Sequence, residues 1–174
     1  MTEWQSYGDL HAQHTVVGDL RVYPKLHSPQ LGNRRDVLVW LPQSYATGDK
    51  RYPVIYMHDG QNVFDANTSY AGEWRADETM TALAAEGIEA ILVGLPNAGK
   101  RRAIEYSPYP FPMGNERVVG QGELYTRFIV ETVKPLIDSS FRTRTDAAAT
   151  GTLGSSMGGL ITLYGILTRP DVFG

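Results

Sequence analysis

Residues 147–168 read AAATGTLGSSMGGLITLYGILT, and the fold turns on how this stretch is parsed. Residues 147–153 are small or β-branched and predict a short strand, whereas residues 157–167 predict a helix with Leu160, Ile161, Tyr164 and Leu167 on its inner face. Between them, Gly154-Ser155-Ser156-Met157-Gly158-Gly159 holds the pattern G-x-S-x-G centred on Ser156. A sharp strand-to-helix turn forces its central residue into a strained backbone, so the positions two away on either side have to be small. Gly154 and Gly158 satisfy that for Ser156, while Ser155 would be flanked by Leu153 and Met157, which clash in the same turn. The turn lifts the serine above the strand end, and the helix N-terminus behind it favours negative charge developing on a substrate oxygen. Chance alone supplies this pattern in roughly a few per cent of chains of such composition, and the flanking strand and helix cut that further.

Reading back toward the N-terminus, residues 15–27 and 36–41 (DVLVWL) predict two early strands, and residues 53–57 (PVIYM) a buried one. That last strand runs straight into His58-Asp59-Gly60-Gln61-Asn62. Ala76, Met80, Leu83 and Ala84 follow helical spacing, predicting an amphipathic helix over residues 73–86 that Gly87 stops as a C-cap. A strand over residues 90–93 completes a parallel strand–helix–strand unit. Residues 94–122 are rich in Gly, Pro and polar types and predict a long irregular excursion. Apolar residues from Leu124 to Ile137 then predict a helix whose last turn Pro135 distorts. Repeats and low-complexity tracts are absent from the sequence.

A chain of 174 residues is the size of one domain. The net charge of −3, with basic residues clustered only at Lys100-Arg101-Arg102, gives no broad surface for phosphate backbones, so nucleic acid is not expected as a partner. The lack of cysteine excludes disulfides, thiolate metal sites and thiol nucleophiles. No apolar run approaches a membrane span, and the first residues lack the basic and apolar regions of a secretion signal, so the expected location is the cytoplasm.

An acyl-transfer site also needs backbone N–H donors aimed at the oxyanion, and Met157, directly after the serine, supplies one. The other comes from the loop after an earlier central strand, where Gly60 can turn an amide inward. His58 at that strand end is expected to be structural, on the wrong side of Ser156 to serve as its base. Gly94-Leu-Pro-Asn-Ala-Gly99-Lys100 imitates a phosphate loop, but Arg101 stands where a Mg²⁺-holding Ser or Thr is required, and residues 102–108 start a helix poorly. His11, His14, His27 and His58 lack zinc-ligand spacing, Asp77 and Glu78 are expected on a solvent-facing helix surface, and neither a metal nor another cofactor is predicted.

The chain resembles the esterase family of α/β-hydrolases that includes enterochelin esterases, S-formylglutathione hydrolases, feruloyl and acetylxylan esterases and mycolyltransferases. The resemblance is carried by Tyr56-Met-His-Asp-Gly-Gln-Asn-Val-Phe-Asp65, by Val93 to Gly99 with Arg102 and Glu105-Tyr-Ser-Pro108, by Pro135-Leu-Ile-Asp138 with Phe141-Arg-Thr143, and by Gly154 to Gly159. It implies an α/β class with the α/β-hydrolase fold: a mostly parallel central sheet, helices on both faces, and one incomplete domain over residues 1–174 that lacks the C-terminal strands. It implies Ser156 as nucleophile, the amides of Gln61 and Met157 as oxyanion hole, and Asp59 near the substrate. Family members deliver an acid and then a histidine after the serine. This sequence supplies neither after Ser156 in a strand of its own, so a serine carboxylic-ester hydrolase inactive on its own is expected, acting on a small-molecule ester and able to self-associate through an exposed sheet edge. The alternatives are an acyltransferase of the same fold and a non-catalytic binding module that keeps the turn.

Overall fold

The computed structural model describes residues 3–70 and 72–174; the expected domain also includes Met1, Thr2 and Ala71, which lie outside the described residues. The chain opens with β1 (Gln5–Ser6) and a single helical turn α1 (Tyr7–Leu10), then β2 (Asp19–Ser28) and β3 (Asn33–Leu41). β4 (Val54–His58), α2 (Ala76–Ala84) and β5 (Ile91–Leu95) form the expected strand–helix–strand unit. After it come α3 (Arg102–Tyr106), a hairpin of β6 (Phe111–Met113) and β7 (Glu116–Val118), α4 (Gly122–Phe128), a π turn (Ile129–Val133) and α5 (Lys134–Ser140). The last elements are β8 (Thr150–Leu153) and α6 (Met157–Thr168).

Six strands form one sheet in the order β1-β2-β3-β5-β4-β8. Its parallel part is β5-β4-β8. The pairings β1-β2, β2-β3 and β3-β5 are antiparallel, the second because its connection over residues 29–32 is too short for a crossover helix. Alternation places helices on both faces. Val37, Val39, Leu41, Val54, Tyr56, Ile91 and Val93 point to one side, packing with Tyr125, Phe128, Ile137 and Ile161. Leu38, Trp40, Met57 and Leu92 point to the other and pack with Met80 and Leu83 of α2.

α2 starts three residues later than the spacing predicts, because Arg75 takes a left-handed backbone (φ 54°) just before it. It ends at Ala84, two residues before the spacing predicts, but Gly87 stops it as expected: Gly87 has φ 80° and donates to Ala84, while Ile88 donates to Leu83, in a Schellman pattern. Asp77 corrects the solvent-face expectation, since it is fully buried and accepts the Val17 amide at 2.7 Å. Burial, reinforced by the Glu78 carboxylate, raises its pKa.

Three further stretches depart from the sequence pattern. Residues 94–122 are less irregular than expected, since α3 does form over Arg102–Tyr106 and a hairpin follows it. In the helical stretch through Ile137 the distortion precedes Pro135: the proline lacks the N–H that would bond to Glu131, and the helix widens to a π turn over Ile129–Val133. Residues 147–149 are a 3₁₀ turn, so the strand itself spans only Thr150–Leu153.

α6 buries only part of the face expected, with Ile161 buried and Tyr164 packed against the core but Leu160 and Leu167 turned outward. Gly158, Ile161 and Gly165 are its buried residues, whereas Leu160, Leu163 and Leu167 are exposed, Leu167 to 70%. The i, i+3, i+7 spacing of the first three forms a narrow stripe whose two glycines allow close approach, with the Phe173 ring 3.6 Å from where a Cβ on Gly165 would stand. β8 pairs only with β4, so it forms one edge of the sheet. Among the described residues no helix is long and apolar enough to cross a membrane.

Candidate active site

The turn between β8 and α6 carries Ser156 at φ 55° and ψ −121°, a backbone region that non-glycine residues avoid. Gly154 enforces the turn: a Cβ there would stand 2.6 Å from the carbonyl carbon of Gly158. Gly158 is less constrained, because a Cβ on it would meet Asp59 and His58 only at 3.5 Å. Ser156 is exposed and precedes the first turn of α6, a helix of 12 residues. It opens onto a cavity of about 470 Å³, also lined by Ser155, Asp59, Gln61, Asn62, Tyr70, Trp74, Asn97 and Arg102.

The opposite wall is the loop that leaves β4. Its left-handed residue is Asp59 (φ 56°, ψ 45°), not Gly60. Gly60 is required for a different reason from the one the sequence suggests: a Cβ would lie 2.5 Å from the Leu95 amide nitrogen, so the loop rests directly on β5. The Gln61 amide has no acceptor among the described residues, and neither has that of Met157. The Gln61 side chain accepts from the Asn97 amide at 3.1 Å, while the Met157 side chain packs against the core and lines no part of the cavity.

Asp59 is mostly buried, and its carboxylate is already engaged. Arg102 donates to both oxygens at 2.7 Å, and the Asn97 side chain adds a bond of 2.6 Å. Burial alone would raise this carboxyl, but the guanidinium and the amide outweigh it and hold it below its ordinary value. Arg102 in turn stacks over Tyr106, whose hydroxyl accepts the Asp59 amide at 3.0 Å. The sequence places Arg102 and Asn97 in shared motifs without giving them a role; the structure brings both to the cavity.

His58 is structural, as expected, but it is buried and not merely a polar strand end. Nδ1 lies 3.0 Å from the Tyr125 hydroxyl and Nε2 3.2 Å from Thr152 Oγ1. Burial lowers its pKa to about 4, with Asp59 opposing and Arg102 assisting. The ring is therefore neutral near pH 7 and joins β4, which carries the loop, to β8, which carries the serine turn. The other three histidines are exposed, with His11 and His14 packed against Tyr7, and none lines the cavity. Lys100, from the phosphate-loop imitation, is exposed outside it.

A strained serine between a sheet strand and a helix, facing a loop at the end of the neighbouring parallel strand, defines the α/β-hydrolase class. Residues 28–174 match the family described as "Putative esterase", and the chain belongs to that family. It is 30% identical to the uncharacterized protein YbbA of Bacillus subtilis over 86% of this chain and 57% of that protein. It is 31% identical to a siderophore triacetylfusarinine C esterase of Aspergillus fumigatus over 73% of this chain and 43% of the relative. Among solved structures, an IroE-like serine hydrolase from Shewanella oneidensis superposes with a TM-score of 0.69 at 25% identity, covering 86% of this chain and 46% of the other. The chain thus spans about half the length of the relatives it matches.

Proposed function

We propose that this chain carries the nucleophile and oxyanion side of a serine carboxylic-ester hydrolase. The observation that supports this most is the strained backbone of Ser156 at the mouth of a cavity shared with the Gln61 loop. In the proposed reaction a base takes the Ser156 proton as Oγ attacks the ester carbon. The oxyanion is met by the unengaged amides of Gln61 and Met157, and the tetrahedral adduct expels the alcohol with that proton, leaving an acyl-enzyme for water to cleave. Asp59 acts through Arg102, holding the guanidinium at the cavity wall where a substrate oxygen can meet it. The substrate is a small-molecule ester, a class to which the siderophore ester of the named relative also belongs.

In this reading the base comes from outside these residues, which agrees with the absence of the described histidines from the cavity lining. Losing the histidine or serine of such a triad costs about 10⁶ in kcat, so the 174-residue chain alone should hydrolyse esters near background. Turnover of p-nitrophenyl acetate by the purified chain and its Ser156→Ala variant, with and without added imidazole as a surrogate base, tests this. Once the protein-free imidazole-catalysed rate is subtracted, a slow rate that imidazole raises only when Ser156 is present is expected. Fast serine-dependent turnover without imidazole would refute the external base, and identical imidazole-stimulated rates in both proteins would refute Ser156 as nucleophile.

A further inference from the structure

Away from the cavity mouth, the start of α2 gathers carboxylates around one point. Glu73, Asp77 and Glu78 each offer an oxygen, and these oxygens all lie within 4.8 Å of one another. Asp77 is fully buried; Oδ2 accepts the Val17 amide, but Oδ1 has no partner. Glu78 Oε2 is likewise buried and unpartnered, while its Oε1 accepts from Arg75 at 3.0 Å. Both oxygens of Glu73 meet only the Thr15 hydroxyl, at 3.3 Å. Arg75 is the cation that salt-bridges this cluster, and its side chain is 68% exposed.

Three carboxylates, one of them wholly out of water, meet one solvent-facing guanidinium, so a shared proton or a bound cation completes the neutralisation. The positive end of α2 contributes a charge of only about one half. A donor set made entirely of carboxylate oxygens suits a hard divalent cation and not zinc. Magnesium demands near-ideal octahedral geometry and keeps several of its waters, whereas calcium accepts an irregular set of carboxylate oxygens, so calcium is the ion this set suits.

We propose that Glu73, Asp77 and Glu78 form a calcium site. It clamps the segment containing Trp74, a wall of the cavity, against the N-terminal stretch that holds Thr15 and Val17. The site stands independently of the hydrolytic reading, and its test needs no substrate. Chelator-treated protein should gain about 3–10 °C in Tm at about 10 mM CaCl₂ relative to NaCl of equal ionic strength, as expected for a Kd of order 0.1–1 mM. Magnesium should give a clearly smaller shift. Asp77→Asn should abolish the calcium shift and Glu73→Gln should at least halve it. Glu73 is half-buried with only long bonds to Thr15, so the second variant decides the matter if the first fails to fold. An unchanged Tm in calcium would overturn the proposal in favour of a proton shared between Asp77 and Glu78, and a full shift surviving in Glu73→Gln would place any bound calcium elsewhere.

Discussion

Ser156 stores strain that its surroundings impose, and the strain is measurable. A non-glycine residue in such a backbone costs about 1–3 kcal/mol, of which a glycine would return part to unfolded-chain entropy, about 0.4–1 kcal/mol. Ser156→Gly should therefore be more stable than Ser156→Ala by about 1 kcal/mol in urea denaturation; equal midpoints would mean the turn is unstrained. The serine and its Gly154 were legible in the sequence because the turn's steric demand is local. His58 was only half legible, since its partners Tyr125 and Thr152 are distant in sequence. Its burial has a pH signature. With a folded pKa of about 4 against an ordinary 6.5, the unfolded state binds more protons in between, so this stabilisation is complete above pH 6.5 and falls away as pH drops toward 4. Between pH 7 and pH 5 the wild type should lose about 2 kcal/mol more than His58→Gln does. Parallel losses in the two proteins would show that the imidazole is not held neutral.

At the level of elements, periodicity located the helices but could not choose the face of α6. Its residues are apolar nearly all round, so the amphipathic signal is weak, and the choice falls to the closeness that Gly158 and Gly165 permit. The consequence is an uneven response to truncation on one helix. Ile161→Ala should cost about 2–4 kcal/mol, as for a fully buried aliphatic residue, whereas Leu163→Ala should stay within about 0.5 kcal/mol. Equal costs would mean that the outward face is covered in solution. The buried Arg35–Glu105 pair, at 2.7 Å with Asn33 as a third member, shows the same limit of local reading. Its residues lie on β3 and α3, and no pattern within either element announces that they meet.

Across the whole molecule, the unsatisfied surfaces converge on one side. β8 offers unpaired backbone groups along the sheet edge, Leu153 at its end is 44% exposed, and Leu160, Leu163 and Leu167 of the adjoining α6 face outward. On the α2 face of the same edge, Leu153 also lines an apolar groove with Ile55, Met57, Met80 and Leu92. The opposite edge is blunted, because β1 is only two residues long. An open edge flanked by exposed leucines is the arrangement that drives strands of separate chains to pair, so the purified 174-residue chain should bind a second copy of itself there. Sedimentation velocity should show association that grows with concentration. Replacing Leu153 and Leu163 by Lys should weaken it by about tenfold or more, since charge beside an edge strand opposes pairing, while leaving thermal stability nearly unchanged. A chain that stays monomeric at every concentration and binds no hydrophobic dye would show that this side is satisfied in some other way.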